Sequence, residues 1–255
     1  MTIESPHSLK RESHESIPSV EVLAIIGHSI EADKARGFVP TRLIQEMNEE
    51  KKRTGVRNRG LRPDDDSAYV GGGNAVALAA AEAYNALLEK GMPPKAVSVV
   101  SGRPLYLENV PLDVNEGAVM LEAFARKIQR EPDAVITLSA ARNTQEELEQ
   151  HLKMCVERGY KSIGFVLLDL RIERARALID KLKMEHTEFS PLETHLVSAE
   201  TLLRDRYRDN PRRLGQLESM LTAFAKSSAH TKTLVDEKGG TEAIRKDTYK
   251  GKGNY

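Results

Sequence analysis

Val97-Ser98-Val99-Val100-Ser101-Gly102-Arg103-Pro104 opens the stretch that decides the fold, and Ala134-Val135-Ile136-Thr137-Leu138 with Arg142-Asn143-Thr144 closes it. Between them Asn115-Glu116-Gly117 stands at the head of a helical pattern, Ala118–Gln129. Each apolar run is short and unbroken, and each ends in a polar loop ahead of a helix start. That is the pattern of a strand buried on both faces of a parallel sheet. The ends of such strands lie along one edge of the sheet, where open α/β proteins bind ligands. The stretch therefore predicts an α/β architecture and the edge that carries a site.

Working outward, Val20–Ile26 and Lys161–Leu168 are further apolar runs, and a strand-like piece surrounds His195-Leu196-Val197. Helical patterns over Ala75–Lys90, Thr144–Arg158, Glu173–Lys183, Ala199–Arg208 and Arg212–Lys226 separate them. The alternation predicts β-α-β units with right-handed crossovers and a mostly parallel sheet of about five strands in one α/β domain, residues 20–250. Residues 1–19 are polar and read as a disordered tail. Residues 31–66 are rich in Arg and Lys and read as a basic helical insertion, with Thr41–Lys52 as an amphipathic helix. Residues 199–250 read as a C-terminal helical extension, polar from His230 onward and frayed at its end.

Composition bounds the function. The chain has 255 residues, with 38 Lys and Arg against 38 Asp and Glu. No global field favours nucleic acid or an anionic membrane surface. A single Cys, Cys155, excludes an intramolecular disulfide and a cysteine-based metal cluster. On a helix face with Leu148 and Leu152 it reads as a core residue. No apolar run reaches the ~20 residues of a membrane span, and the first residues lack a signal-peptide core. The expectation is a cytoplasmic protein without nucleic-acid partners.

Candidate residues cluster at the strand ends. Ser101, Gly102 and Arg103 follow the second strand and read either as an anion-binding loop or as a plain turn. Glu116 sits in the first turn of the next helix, where the dipole favours it in any case. Arg142, Asn143 and Thr144 follow the third strand, and Thr144 with Glu147 has capping-box spacing. His28 follows the first strand. The seven His residues show no H-x-H or H-x-x-x-H spacing, so no metal site is expected. Gly71-Gly72-Gly73-Asn74 precedes a helix, as in a phosphate cradle or a hinge, without a dinucleotide or P-loop fingerprint.

An apolar strand ending in Ser101-Gly102, an Asn115-Glu116-Gly117 helix start, Arg142-Asn143-Thr144-x-Glu146, and a strand running into Arg174-Ala175-Arg176-Ala177 follow in that order. That ordered set resembles the YdcF/SanA-like family of bacterial proteins over roughly Val20–Lys183. Ser198-Ala199-Glu200, Arg206-Tyr207 and Glu237-x-Gly-Gly with Tyr249 echo its C-terminal part. The resemblance implies a Rossmann-like three-layer fold. It also implies a pocket using Ser101, Gly102, Glu116, Asn143 and Thr144, and a nucleotide-type ligand such as S-adenosylmethionine or an envelope-precursor phosphate. The chain departs from the family in two places. Arg103 replaces a second Gly, and Arg171 stands where the family commonly has a His. An Arg keeps its proton, so Arg171 binds or stabilises negative charge instead of moving protons.

Three readings stay open at this point. The chain binds a small anionic, nucleotide-like or phosphorylated ligand as a transferase or hydrolase, with Glu116 as catalytic group. Or it is a non-catalytic sensor or adaptor on the same fold. Or it is an interaction protein acting through the basic insertion.

Overall fold

The computed structural model describes residues 17–27, 30–33, 35–46, 68–100, 102, 111 and 113–249. The chain enters as β1 (Val22–Ile25), a run of four buried apolar residues. Then come β2 (Ile30–Asp33), β3 (Gly37–Pro40), β4 (Ile44–Glu46) and β5 (Ala68–Val70). The rest alternates as α1 (Gly73–Glu89), β6 (Ala96–Val100), α2 (Glu116–Ala125), β7 (Val135–Leu138), α3 (Thr144–Arg158), β8 (Ser162–Leu167), α4 (Asp169–Glu185) and β9 (Glu193–Ser198). Three helices follow: α5 (Ala199–Arg206), α6 (Pro211–Ala225) and α7 (Ser228–Arg245).

Five strands form one sheet in the order β7-β6-β1-β8-β9, and every pairing is parallel. This is the α/β fold the sequence predicts. The chain builds outward from β1 to β7, then returns to place β8 on the other side of β1. The order thus reverses at β1 and β8, the topological switch point of such sheets. Burial follows position: β1 and β8 are buried throughout, whereas the edge strands β7 and β9 are partly exposed.

Alternation along β1 divides the core. Leu23 and Ile25 face a layer built with Val76, Ala80 and Tyr84 of α1, Met120 and Phe124 of α2, and Leu202 of α5. Val22, Ala24 and Ile26 face Leu148, Leu152 and Cys155 of α3 and Leu178 and Ile179 of α4. Ala77, Ala79, Ala80, Ala81 and Ala83 are buried, so small side chains bring α1 close to its neighbours. Cys155 is buried and burial pushes its thiol up to about 12, which makes it a core residue.

Two expectations need correction. In the described part of residues 31–66 the chain forms strands, not helix: β2 pairs antiparallel with β3, and β4 with β5. Asp33 closes the β2–β3 turn by accepting the Ala35 and Arg36 N–H groups at 3.0 and 3.1 Å. In the expected helix Thr41–Lys52, Ile44–Glu46 instead pairs with Ala68–Val70. Residues 47–67 lie outside the described residues. Within the expected C-terminal helical extension, the polar segment from His230 lies largely in α7, whose Ile244 enters the core layer of α3 and α4. At the other end, Ile17 packs against the layer of α1, although the sequence places it in a disordered tail.

Gly117 marks where the site edge is built most tightly. A Cβ there would lie 2.4 Å from the Val100 carbonyl oxygen, so α2 starts directly on the end of β6. Gly215, in α6, has nothing within 4 Å of the same construction. Gly117→Ala is therefore expected to destabilise by ~1–3 kcal/mol through overpacking. Gly215→Ala is expected to be neutral or to stabilise by up to ~1 kcal/mol through helix propensity. Urea unfolding of the two variants checks the contrast.

Candidate functional site

The C-terminal ends of β1, β6 and β7, and the helices that follow β6, β7 and β8, bring four groups together. Gly27 follows β1. Asn115 caps α2, its side chain accepting the Ala118 N–H at 3.1 Å. The Glu116 N–H donates to the Gly102 carbonyl at 2.8 Å, tying the loop after β6 to that helix start. Glu116 Oε1 then lies 3.3 Å from where a Cβ on Gly27 would stand, and Glu147 Oε1 lies 3.5 Å from it. Glu147 Oε1 accepts the Gly27 N–H at 2.8 Å. Two carboxyl groups from two different helices thus converge on Gly27 at the end of the central strand, one of them on its backbone amide.

The start of α3 explains how Glu147 gets there. The N-cap is Asn143, whose side-chain oxygen accepts the Glu146 N–H at 3.0 Å. Glu146 reaches back past the cap, accepting the Arg142 N–H at 2.9 Å and binding the Arg142 guanidinium through Nε and Nη2. The capping pair is therefore Asn143 and Glu146, one residue earlier than the Thr144 and Glu147 spacing suggests. That shift releases Glu147 from the cap and turns its carboxyl toward β1.

The electrostatics follow from this enclosure. Desolvation pushes the Glu147 carboxyl up to about 8, and the neighbouring Glu116 charge adds to the rise. The Gly27 N–H and Arg171 act in the opposite direction without overcoming it. Arg171, in the first turn of α4, has a buried Nε that lacks a hydrogen-bond partner among the described residues. Burial lowers its pKa, and the carboxyl groups of Glu237, Glu147 and Glu116 oppose that fall to the extent that they are ionised. Nearby, Glu200 at the start of α5 is buried and accepts the Asp169 N–H at 3.0 Å. Desolvation and the Asp169 charge push it up to about 7.

The residues singled out from sequence fall into three groups. Glu116, Gly102, Asn143, Thr144 and Arg171 all stand at this edge. Arg142 also stands there, but its side chain is 77% exposed and its guanidinium is engaged by Glu146. Ser101, Arg103 and His28 lie outside the described residues. The Gly71–Gly73 segment faces chain, not open space. The N–H groups of Gly71 and Gly72 donate to the carbonyls of Leu43 and Arg42, that of Gly73 to Thr41 Oγ1, and that of Asn74 to the Thr41 carbonyl. Among the described residues no group of three His, Cys, Asp or Glu side chains is placed to hold a metal ion. No helix of the described chain is long and apolar enough to cross a membrane.

Sequence reasoning missed Glu147, because its spacing from Thr144 assigned it to a cap. It also missed a buried polar pair in the layer of α3. Ser98 Oγ lies 3.0 Å from His151 Nδ1, the ring sits edge-on to Phe165, and desolvation lowers the imidazole to about 3. The histidine is held neutral in the core, with its Nε2 buried and without a hydrogen-bond partner among the described residues, and the pair lies within the sheet layer and not at its edge.

Comparison with family models, curated protein sequences and solved structures finds no match to this chain. The family resemblance therefore rests on the motif order alone.

The raised Glu147 carboxyl sets a pH dependence. Between about 4.5 and about 8 the folded chain holds a proton that the unfolded chain has released, so this group makes stability fall as pH rises through that window. Glu147→Gln keeps an oxygen for the Gly27 N–H and removes the titration. Its stability relative to wild type is expected to improve steadily from about pH 5 to about pH 8.5. Urea midpoints across that range read the difference, and parallel curves for the two proteins would contradict it.

Proposed function

We propose that the chain binds a small nucleotide-like or phosphorylated ligand at the switch point of its sheet and transfers a group from it to water or to a second substrate. The convergence of Glu147 and Glu116 on Gly27, within the field of Arg171, carries this reading. Among the described residues the Arg171 Nε has no acceptor, and an unsatisfied buried donor costs ~1–3 kcal/mol that a ligand oxyanion would relieve. Glu116 is placed to take ligand hydroxyls such as those of a ribose. Glu147, protonated at neutral pH, is the proton donor to a leaving oxygen, since a group with a pKa near the working pH serves best as acid and base.

A non-catalytic sensor on the same fold would be lined by guanidinium groups and backbone amides. The two carboxyl groups, one of them holding a proton near neutrality, favour the enzyme.

Differential scanning fluorimetry with AMP, ribose 5-phosphate and S-adenosylmethionine, and with adenosine as the uncharged control, tests the binding. A ligand at about 100 times its Kd adds ~2.7 kcal/mol and raises Tm. Arg171→Gln is expected to abolish the shift. Glu147→Gln is expected to keep it, because Gln resembles the protonated carboxyl, while lowering turnover of that ligand by ~10²–10⁴-fold. No shift with any charged ligand, or equal shifts in wild type and Arg171→Gln, overturns the proposal.

A further inference from the structure

The helix that carries Glu147 meets the sheet through a further polar contact. Leu148, Leu152 and Met154 of α3 are buried among apolar neighbours. Contacts of that kind are not directional and fix no orientation. His151 differs. It is fully buried, and its Nδ1 lies 3.0 Å from the hydroxyl oxygen of Ser98, itself fully buried in β6. Ser98 is held in register by Ala24 of β1 on one side and Ile136 of β7 on the other. The imidazole stands edge-on to Phe165 of β8, with ring centroids 5.7 Å apart. His151 follows Glu147 by four residues, so the two share one face of α3, ~6 Å apart along its axis. A helix that joins two parallel strands runs back against them. The step from His151 to Glu147 therefore leads toward the strand ends, where Gly27 lies beyond Ala24. The contact has a cost. Among the described residues the His151 Nε2 is buried without a hydrogen-bond partner, and an unmet polar atom in a core lowers stability. A polar contact within an apolar seam gives up stability and fixes register in return.

We infer that His151 is a positioning residue for the strand-end site: its bond to Ser98 sets the height and rotation of α3 against the sheet, and so brings Glu147, one turn earlier, onto the Gly27 N–H. The helix is pinned at two points on neighbouring strands, at Ser98 within β6 and at Gly27 past the end of β1. With the first point removed, the apolar face of α3 is free to shift on the sheet, and the second point loosens. The catalytic role of Glu147 rests on the functional reading above, whereas the placement of its carboxyl on Gly27 does not.

Amide hydrogen exchange followed by NMR, without any ligand, tests this. Ser98→Ala removes one oxygen from the pair, and Ser98→Ala/His151→Leu replaces both partners with apolar groups, so that no buried polar atom is left behind. In both variants exchange of the Gly27 amide is expected to quicken by about tenfold or more. The control is the Asp169 N–H, which donates to Glu200 at 3.0 Å past the end of β8, a bond of the same kind made without α3. Its exchange is expected to change much less, since a general loss of stability would move both amides together. A wild-type Gly27 rate in either folded variant, or an equal rise at Gly27 and Asp169, overturns the proposal. Failure of the double variant to fold also overturns it, because the pair would then hold the core itself and not the placement of one helix. No nucleotide enters the measurement, so loss of the nucleotide reading and loss of the His151 role are separate results.

Discussion

The hydrogen bond from the Gly27 N–H to Glu147 is the contact on which the site depends. It joins the end of the central strand to the first turn of a helix that starts from an edge strand. A carboxyl enclosed in this way stays neutral unless compensating charge is near, because an ionised carboxylate loses far more hydration than a neutral one on leaving water. Glu116 makes the balance worse and Arg171 makes it better. The result is a proton held near neutral pH at the point where the strand order reverses.

The surrounding structure holds this contact in place. Gly117 lets α2 begin on the Val100 carbonyl, which sets the height of Glu116 above the sheet. Asn143 and Glu146 consume the free amides at the start of α3, so Glu147 is not needed there. The two core layers fix the sheet beneath the site. Central strands buried on both faces leave little freedom for the strand ends to move apart.

The strands of the sheet were legible because each is a continuous apolar run, and burial on both faces leaves that mark locally. Asn115 and Glu116 were legible as a helix start for a similar reason. The β4–β5 pair was not. Ile44–Glu46 is flanked by charged residues at helical spacing, and its partner Ala68–Val70 lies beyond a long intervening segment. A pairing of that kind pays loop-closure entropy and leaves no short-range signal. The helix α7 lies within the expected C-terminal helical extension, but Gly239-Gly240 and its polar composition hid its bounds. It is held by the pairing of Glu237 with Arg174, by Arg174 lying against Gly240, and by Ile244 in the core.

By itself the sequence determined the class of fold and the edge on which chemistry would gather, since both follow from short apolar runs ending in polar loops. It did not determine which carboxyl would stand free. Asn143 and Thr144 are both good N-caps one residue apart. The choice between them fell to the pairing of Arg142 with Glu146 and to the approach of Gly27. Only the tertiary structure decided that Glu147 and Glu116 would meet at Gly27 and that the C-terminal helix would pair Glu237 with Arg174. Those meetings depend on which strands become neighbours, and neighbours in a parallel sheet are chosen by crossovers and packing and not by any local pattern in the chain.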